Sequence, residues 1–243
     1  MIQLPIYFIS DNHFMMHTSS KEDNRRKILI SLFKEIKEKQ GTLIIGGDFF
    51  DFWFEYPNVI PKYYIEIIDE LKKLNNAGVS IHYVLGNHDY WDFGSFKKLF
   101  GATIHKDDFN FNLDGQRIKV THGDGILKND YGYRFMRTII RSKIFIFLFS
   151  FIHPDLGCWI AKKISKTSKK MDENPIDNSL KIKLIDTMRK EYPDFDKIFI
   201  GHYHQIGIEK ISNQEFIFMG DWITHFTVSI INNNGSIQHS WNN

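Results

Sequence analysis

The chain has 243 residues, 42% hydrophobic and 25% charged, with a net charge of +2, which suits one large globular domain with a substantial core. Its one cysteine, Cys158, excludes an internal disulfide and fits a reducing compartment. No stretch reaches the roughly 20 apolar residues of a bilayer-spanning helix, and the N-terminus, MIQLPIYFIS, reads as the start of a strand and not as a secretory signal.

In chain order, Ile6 to Ile9 is a short apolar run that ends on Ser-Asp-Asn-His. Glu22 to Lys39 carries Ile28, Leu29, Leu32, Phe33 and Ile36 at helical spacing. Thr42 to Asp48 repeats the apolar-then-polar pattern, Tyr63 to Leu74 reads as a second amphipathic helix, and Ile81 to Asp89 is a third strand with a polar end. Strand, helix, strand, helix, strand implies parallel pairing, with the polar clusters gathered beyond the carboxyl ends of the strands. Past Gly101 the pattern alternates around Asp114-Gly115, a hairpin signal, and ends on His122. From Asp130 to about Lys170 two helices are expected, broken near His153-Pro154. A plain amphipathic helix follows from Asn178, then a strand ending in His202 and His204, and the last forty residues read as antiparallel strands. With no repeat and no linker, residues 1–243 are expected to form one domain with a helical insertion at about 128–170.

Five polar clusters stand at strand ends: Asp11-x-His13, Gly47-Asp48-x-x-Asp51, Gly86-Asn87-His88-Asp89, His122-Gly123-Asp124 and Gly201-His202-x-His204. Together they offer carboxylates, an amide and imidazoles but no thiolate, a donor set that suits Mn²⁺, Fe²⁺ or Zn²⁺. Seven donors, Asp11, His13, Asp48, Asn87, His122, His202 and His204, exceed one tetrahedral site and suit two ions sharing a carboxylate. At a strand end, residues i and i+2 face the same way and can grip one centre. Asp51 and Asp124 read as turn or supporting residues, and His17, His82, His105, His153, His225 and His239 as surface or packing residues. Trp53 is expected at the rim of the site.

The ordered set D-x-H, GDxxD, GNHD, H, GHxH resembles the calcineurin-like metallophosphoesterase family over Asp11 to His204. The resemblance implies an α/β fold, a β-sandwich flanked by helices (αββα). It implies one ion on Asp11, His13, Asp48 and His204, and a second on Asp48, Asn87, His122 and His202. His88 would face the phosphoryl group, and Asp89 would orient His88.

Within that family, GDFFDFWFEY, GNHDYW and HGDG…ND, with SKK after the insertion, look like the UDP-2,3-diacylglucosamine diphosphatase branch. The likeness implies Mn²⁺, a lipid-linked sugar nucleotide as substrate, and release of UMP and 2,3-diacylglucosamine 1-phosphate. It places Asn87, His88, Asp130, Ser168 and His202 on the substrate. Lys169 is an added candidate, and His88 stands where arginine is common in that branch.

The segment IFIFLFSFI, Ile144 to Ile152, lies in a block where ten Lys and Arg face only two acids, Asp130 and Asp155. It can be a buried helix, part of a lid that encloses acyl chains and touches a membrane, or part of a nucleic-acid surface. Continuous aliphatic bulk suits lipid better than stacked bases, and basic flanks suit anionic headgroups. Taken with the branch resemblance, the expectation is a cytoplasmic hydrolase, peripheral on the inner membrane, with no nucleic-acid partner. A hydrolase of a soluble phosphoester and a non-catalytic membrane-binding module are the alternatives.

Overall fold

The computed structural model describes residues 2–161, 163 and 176–241. Two sheets face each other. The first runs β11 (Gly235–Ser240), β10 (Thr227–Asn232), β1 (Ile6–Ile9), β2 (Thr42–Ile45), β3 (Ser80–Val84), β4 (Thr103–His105). The second runs β5 (Phe109–Leu113), β6 (Gln116–Thr121), β7 (Lys197–Ile200), β9 (Gln214–Met219), β8 (Ile206–Ile211). β1 to β4 pair in parallel, as the βαβ pattern requires. In the last third β8 and β9, then β10 and β11, pair antiparallel, but β9 also runs parallel to β7.

Strand alternation sorts the core into layers. On β1, Tyr7 and Ile9 face a cluster with Leu29, Leu32 and Ile36 of α1 (Ser20–Lys39), Ile67 and Leu71 of α2 (Ile65–Asn76) and Phe96 of α3 (Ser95–Phe100). Ile6 and Phe8 face the other way, onto Val120, Phe199 and Ile217 of the second sheet, where Phe8 stacks on Phe199. The outer face of that sheet, Ile198, Ile200, Phe216 and Phe218, is covered by Leu184, Ile185 and Met188 of the helix Asn178–Glu191. This is helix, sheet, sheet, helix. The hairpin forms where Asp114-Gly115 signals it, with both residues at positive φ, 49° and 81°, as a type I′ turn needs.

The insertion differs from expectation. Its described part holds three helices: α4 (Tyr131–Ile140), α5 (Lys143–Ser150) and α6 (154–161). The additional break falls at Ser142, whose hydroxyl accepts from Phe145 N and caps α5. α5 is amphipathic in place: Phe149 is buried against Phe52, Phe54 and Trp91, while Ile144, Phe147, Leu148 and Phe151 are exposed. No described helix is long and apolar enough to cross a membrane. Trp53, expected at the rim, is core: it is 2% exposed and packs on Phe50, Tyr64 and Phe96.

Candidate active site

All five clusters meet on one edge. Two groups of donors converge there: Asp11, His13 and His204 in one, Asp48, His122 and His202 in the other, with the donor atoms of each within 4.8 Å of one another. Both carboxylates accept supporting hydrogen bonds and still face the site. Asp11 Oδ2 accepts from Ser10 Oγ (2.6 Å) and His202 N (2.9 Å), while Oδ1 lies 3.6 Å from His204 Nε2 and 3.9 Å from His13 Nε2. Asp48 Oδ1 accepts from His88 N (2.8 Å), while Oδ2 lies 3.3 Å from His122 Nε2 and 3.9 Å from His13 Nε2. Oδ2 of Asp48 thus sits between an imidazole of each group. Asn87 Oδ1 approaches His122 Nε2 at 3.2 Å.

The imidazoles are aimed by their far nitrogens. His122 Nδ1 donates to Gly46 O at 2.8 Å, which leaves Nε2 for the site. Burial pushes the His202 imidazole down to about 3, and His122 beside it adds to the effect, so its lone pair is free at neutral pH. Burial alone would depress His122, but Asp48 raises it to about 10. The same contacts hold the Asp48 carboxyl well below its usual range against the effect of burial. Oxygen and imidazole donors placed this way around buried carboxylates fit a pair of divalent cations, whose binding would displace those protons.

The local backbone is bent to achieve this. Asp11, His13, Asp48, His202 and His204 all have positive φ, between 43° and 66°. Such conformations cost roughly 1–3 kcal/mol each for residues with a side chain and persist only where surrounding structure enforces them. Two loops zip together to do so: Asp11 N donates to Gly47 O and His13 N to Asp48 O. Gly86 is required because a Cβ there would lie 2.1 Å from Asp48 Oδ1.

One expected role is corrected. Asp89 does not orient the His88 ring. Its carboxylate accepts from Gly86 N (2.7 Å), Phe49 N (2.9 Å) and the Tyr83 hydroxyl, and so ties the Asn87 turn to the Asp48 loop. Burial, with Asp48 nearby, raises its pKa to about 6. The His88 ring is oriented instead by the Asp51 carbonyl, 2.6 Å from Nδ1. Its ring packs edge-on to His13 at 4.6 Å. Asp130 caps α4, accepting from Tyr133 N at 3.1 Å. Asp124 joins α4 to the His122 loop, with Oδ2 2.5 Å from Arg137 Nε and 2.7 Å from Arg141 Nη2. Ser168 and Lys169 lie outside the described residues.

Asp221 is missing from the sequence reading, although Phe218-Met-Gly-Asp221 repeats the strand-then-Gly-Asp pattern of Asp48. It is buried, accepts from Ile223 N (2.8 Å) and Thr224 N (2.6 Å), and lies 3.6 Å from His204 Nδ1 and 2.7 Å from His225 Nδ1. It holds the His204 ring so that Nε2 faces Asp11. Carboxylates behind metal-binding imidazoles commonly contribute 10- to 100-fold in affinity. Asp221→Asn is therefore expected to weaken Mn²⁺ binding at the Asp11–His204 group by about tenfold or more, measured by competition with a chelating dye. An unchanged affinity would reduce Asp221 to a loop cap.

The chain belongs to the calcineurin-like phosphoesterase family, whose model matches residues 4–206, and it is a hydrolase. Within that family it is similar to curated proteins named UDP-2,3-diacylglucosamine hydrolase. The one from Porphyromonas gingivalis W83 is 25% identical over 243 residues, 93% of each chain. The one from Pseudomonas fluorescens SBW25 is 29% identical over 230 residues, covering 89% of this chain and 87% of the relative. An archaeal phosphodiesterase of known structure superposes with a TM-score of 0.48 at 14% identity, over 97% of this chain and 98% of the other.

Proposed function

We propose that this chain hydrolyses the pyrophosphate of UDP-2,3-diacylglucosamine to UMP and 2,3-diacylglucosamine 1-phosphate, a step of lipid A synthesis. It would work with two divalent ions, Mn²⁺ before Fe²⁺ or Zn²⁺, from the cytoplasmic surface of the inner membrane. The observation that carries the substrate is the apolar ridge on α4 and α5. There Phe135 on α4, and Ile144, Phe147 and Phe151 on α5 and its C-cap, are 62–74% exposed, and Asp124 ties α4 to the His122 loop. An exposed apolar surface of this kind marks a lipid or partner contact, and a diacyl substrate supplies one. The curated relatives named above act, by name, on that substrate.

Two bound cations would supply Lewis acidity and a water activated for in-line attack at phosphorus. Asp11, Asp48 and the four ligating imidazoles would hold them, with Asn87. His88 donates its Nδ1 proton to the Asp51 carbonyl, which aims the opposite ring edge into the site, where it steadies phosphoryl charge or carries a proton. Tyr133, whose ring lies 5.4 Å from that of His202, walls the site on the side of α4.

The double variant Phe147→Ser/Phe151→Ser tests the substrate. Both side chains are exposed and touch each other, ring centroids 4.9 Å apart, so the core is spared. Burying a phenylalanine contributes about 1.5–3 kcal/mol, so KM for the diacyl substrate should rise at least about tenfold. Hydrolysis of bis(p-nitrophenyl) phosphate should stay at the wild-type rate. Equal cleavage of UDP-N-acetylglucosamine and the diacylated substrate by the wild-type chain would count against the proposal.

A further inference from the structure

The proposed substrate has two ends of opposite character, an acylated sugar and a uridine nucleotide, and α4 presents two faces of matching character. Tyr131, Phe135, Met136 and Ile139 are exposed along one face. Arg137 and Arg141 leave the other, both bonded to Asp124. On the arginine side a cavity of about 430 Å³ runs from His122 and Asp124 along the ends of β3 and β6 to the loop between β4 and β5. That volume lies in the range of small-molecule sites, about 300–1,000 Å³.

We infer that this groove seats the uridine end of the substrate, an assignment that rests on the substrate proposed above. Its floor at Leu85 is apolar and its far wall is polar, with Lys106, Asp107 and Asn110 along it. Lys106, Asp107 and Asn110 are exposed, and none has a side-chain hydrogen bond or ion pair among the described residues. Their chemistry matches a nucleoside: an amide for the base edge, a carboxylate for ribose hydroxyls, an ammonium for a base carbonyl. The wall is braced. Lys119 Nζ binds Asp108 at 2.8 Å and lies 4.2 Å from the centre of the Tyr192 ring, fixing the β4–β5 loop against the end of the last helix. Acyl chains have no matching surface here, whereas the opposite face of α4 offers one. The phosphorus under attack lies where the two paths meet, at His122.

The test is calorimetric titration of UMP into the Mn²⁺-loaded chain, wild type against Lys106→Ala, Asn110→Ala and the pair, with inorganic phosphate as the second ligand. Both positions are exposed, so melting temperature should not move. The double variant is expected to weaken UMP binding by about tenfold or more, the effect of losing one or two charged or bidentate hydrogen bonds. Phosphate affinity should not change, and KM for UDP-2,3-diacylglucosamine should rise in parallel. If the wild-type chain releases UMP from that substrate and the variants bind UMP as tightly as it does, the groove is not the nucleotide site. If the variants lose UMP binding but the wild-type chain does not cleave the substrate, the groove stands and the substrate proposal falls. If the wild-type chain neither cleaves it nor binds UMP, both fall.

Discussion

Asp48→Asn should reduce kcat by roughly a thousandfold or more while leaving the fold in place. Among the described donors, Asp48 Oδ2 is the oxygen that faces imidazoles of both groups, at 3.3 Å from His122 and 3.9 Å from His13. An amide keeps the shape and can still accept from His88 N through one oxygen. It removes the charge that would bridge two cations, and with it both the clamp on the reacting oxygens and the activated water. Losing a single preorganised electrostatic partner elsewhere in catalysis costs about 10²–10³-fold, and a bridging ligand serves two centres at once. Metal content measured by plasma mass spectrometry should fall from two ions per chain to one or none. Chelation of the wild-type chain should mimic the variant, with activity restored by Mn²⁺. Full activity and two bound ions in Asp48→Asn would remove the bridging role.

Arg25→Met should destabilise the chain by about 3–5 kcal/mol, the usual result of stripping one partner from a buried ion pair, and should loosen the metal site as well. Arg25 is 2% exposed. Its Nη1 lies 2.5 Å from Glu22 Oε2, its Nε donates to Trp222 O at 2.8 Å, and its Nη2 donates to Asn12 O. Glu22 in turn accepts from Met15 N at 2.9 Å. One guanidinium thus joins the loop of Asp11 and His13 to the loop of Asp221, which supports the positive-φ backbone described above. For a chain of this size the loss corresponds to a fall in Tm of roughly 10 °C. The double variant Glu22→Gln/Arg25→Met separates the two effects. Removing the Glu22 charge, left with the longer contact to Arg26 Nη2 at 3.5 Å, should recover part of the stability, while Mn²⁺ affinity stays low because the Asn12 and Trp222 carbonyls remain unheld. Parallel recovery of both would make Arg25 a stability residue alone.

Much of this molecule was readable in one dimension. Short apolar runs before Asp11, Asp48, Asn87 and His202 marked strands, and helical spacing in α1 and α2 marked crossovers, so the polar clusters had to emerge on one edge. That inference needs only local periodicity and the direction of parallel strands. Glycine beside Asp48, Asn87, His122 and His202 was legible for the same reason, since close approach of backbone to donors excludes a Cβ. What the periodicity could not reveal was partner choice among buried polar groups. Asp89 was expected on His88 and lies instead on Gly86, Phe49 and Tyr83. Arg25 sat among ordinary helix charges, yet it reaches Trp222, 197 residues away. Trp53 was expected at a rim and is interior, and α5 shows a buried face and an exposed face where the bare run of apolar residues distinguishes none. Strand and helix follow from neighbours in the chain. Which carboxylate steadies which imidazole, and which face of a helix meets solvent, follow from contacts between distant segments, and those exist only once the sheets have closed.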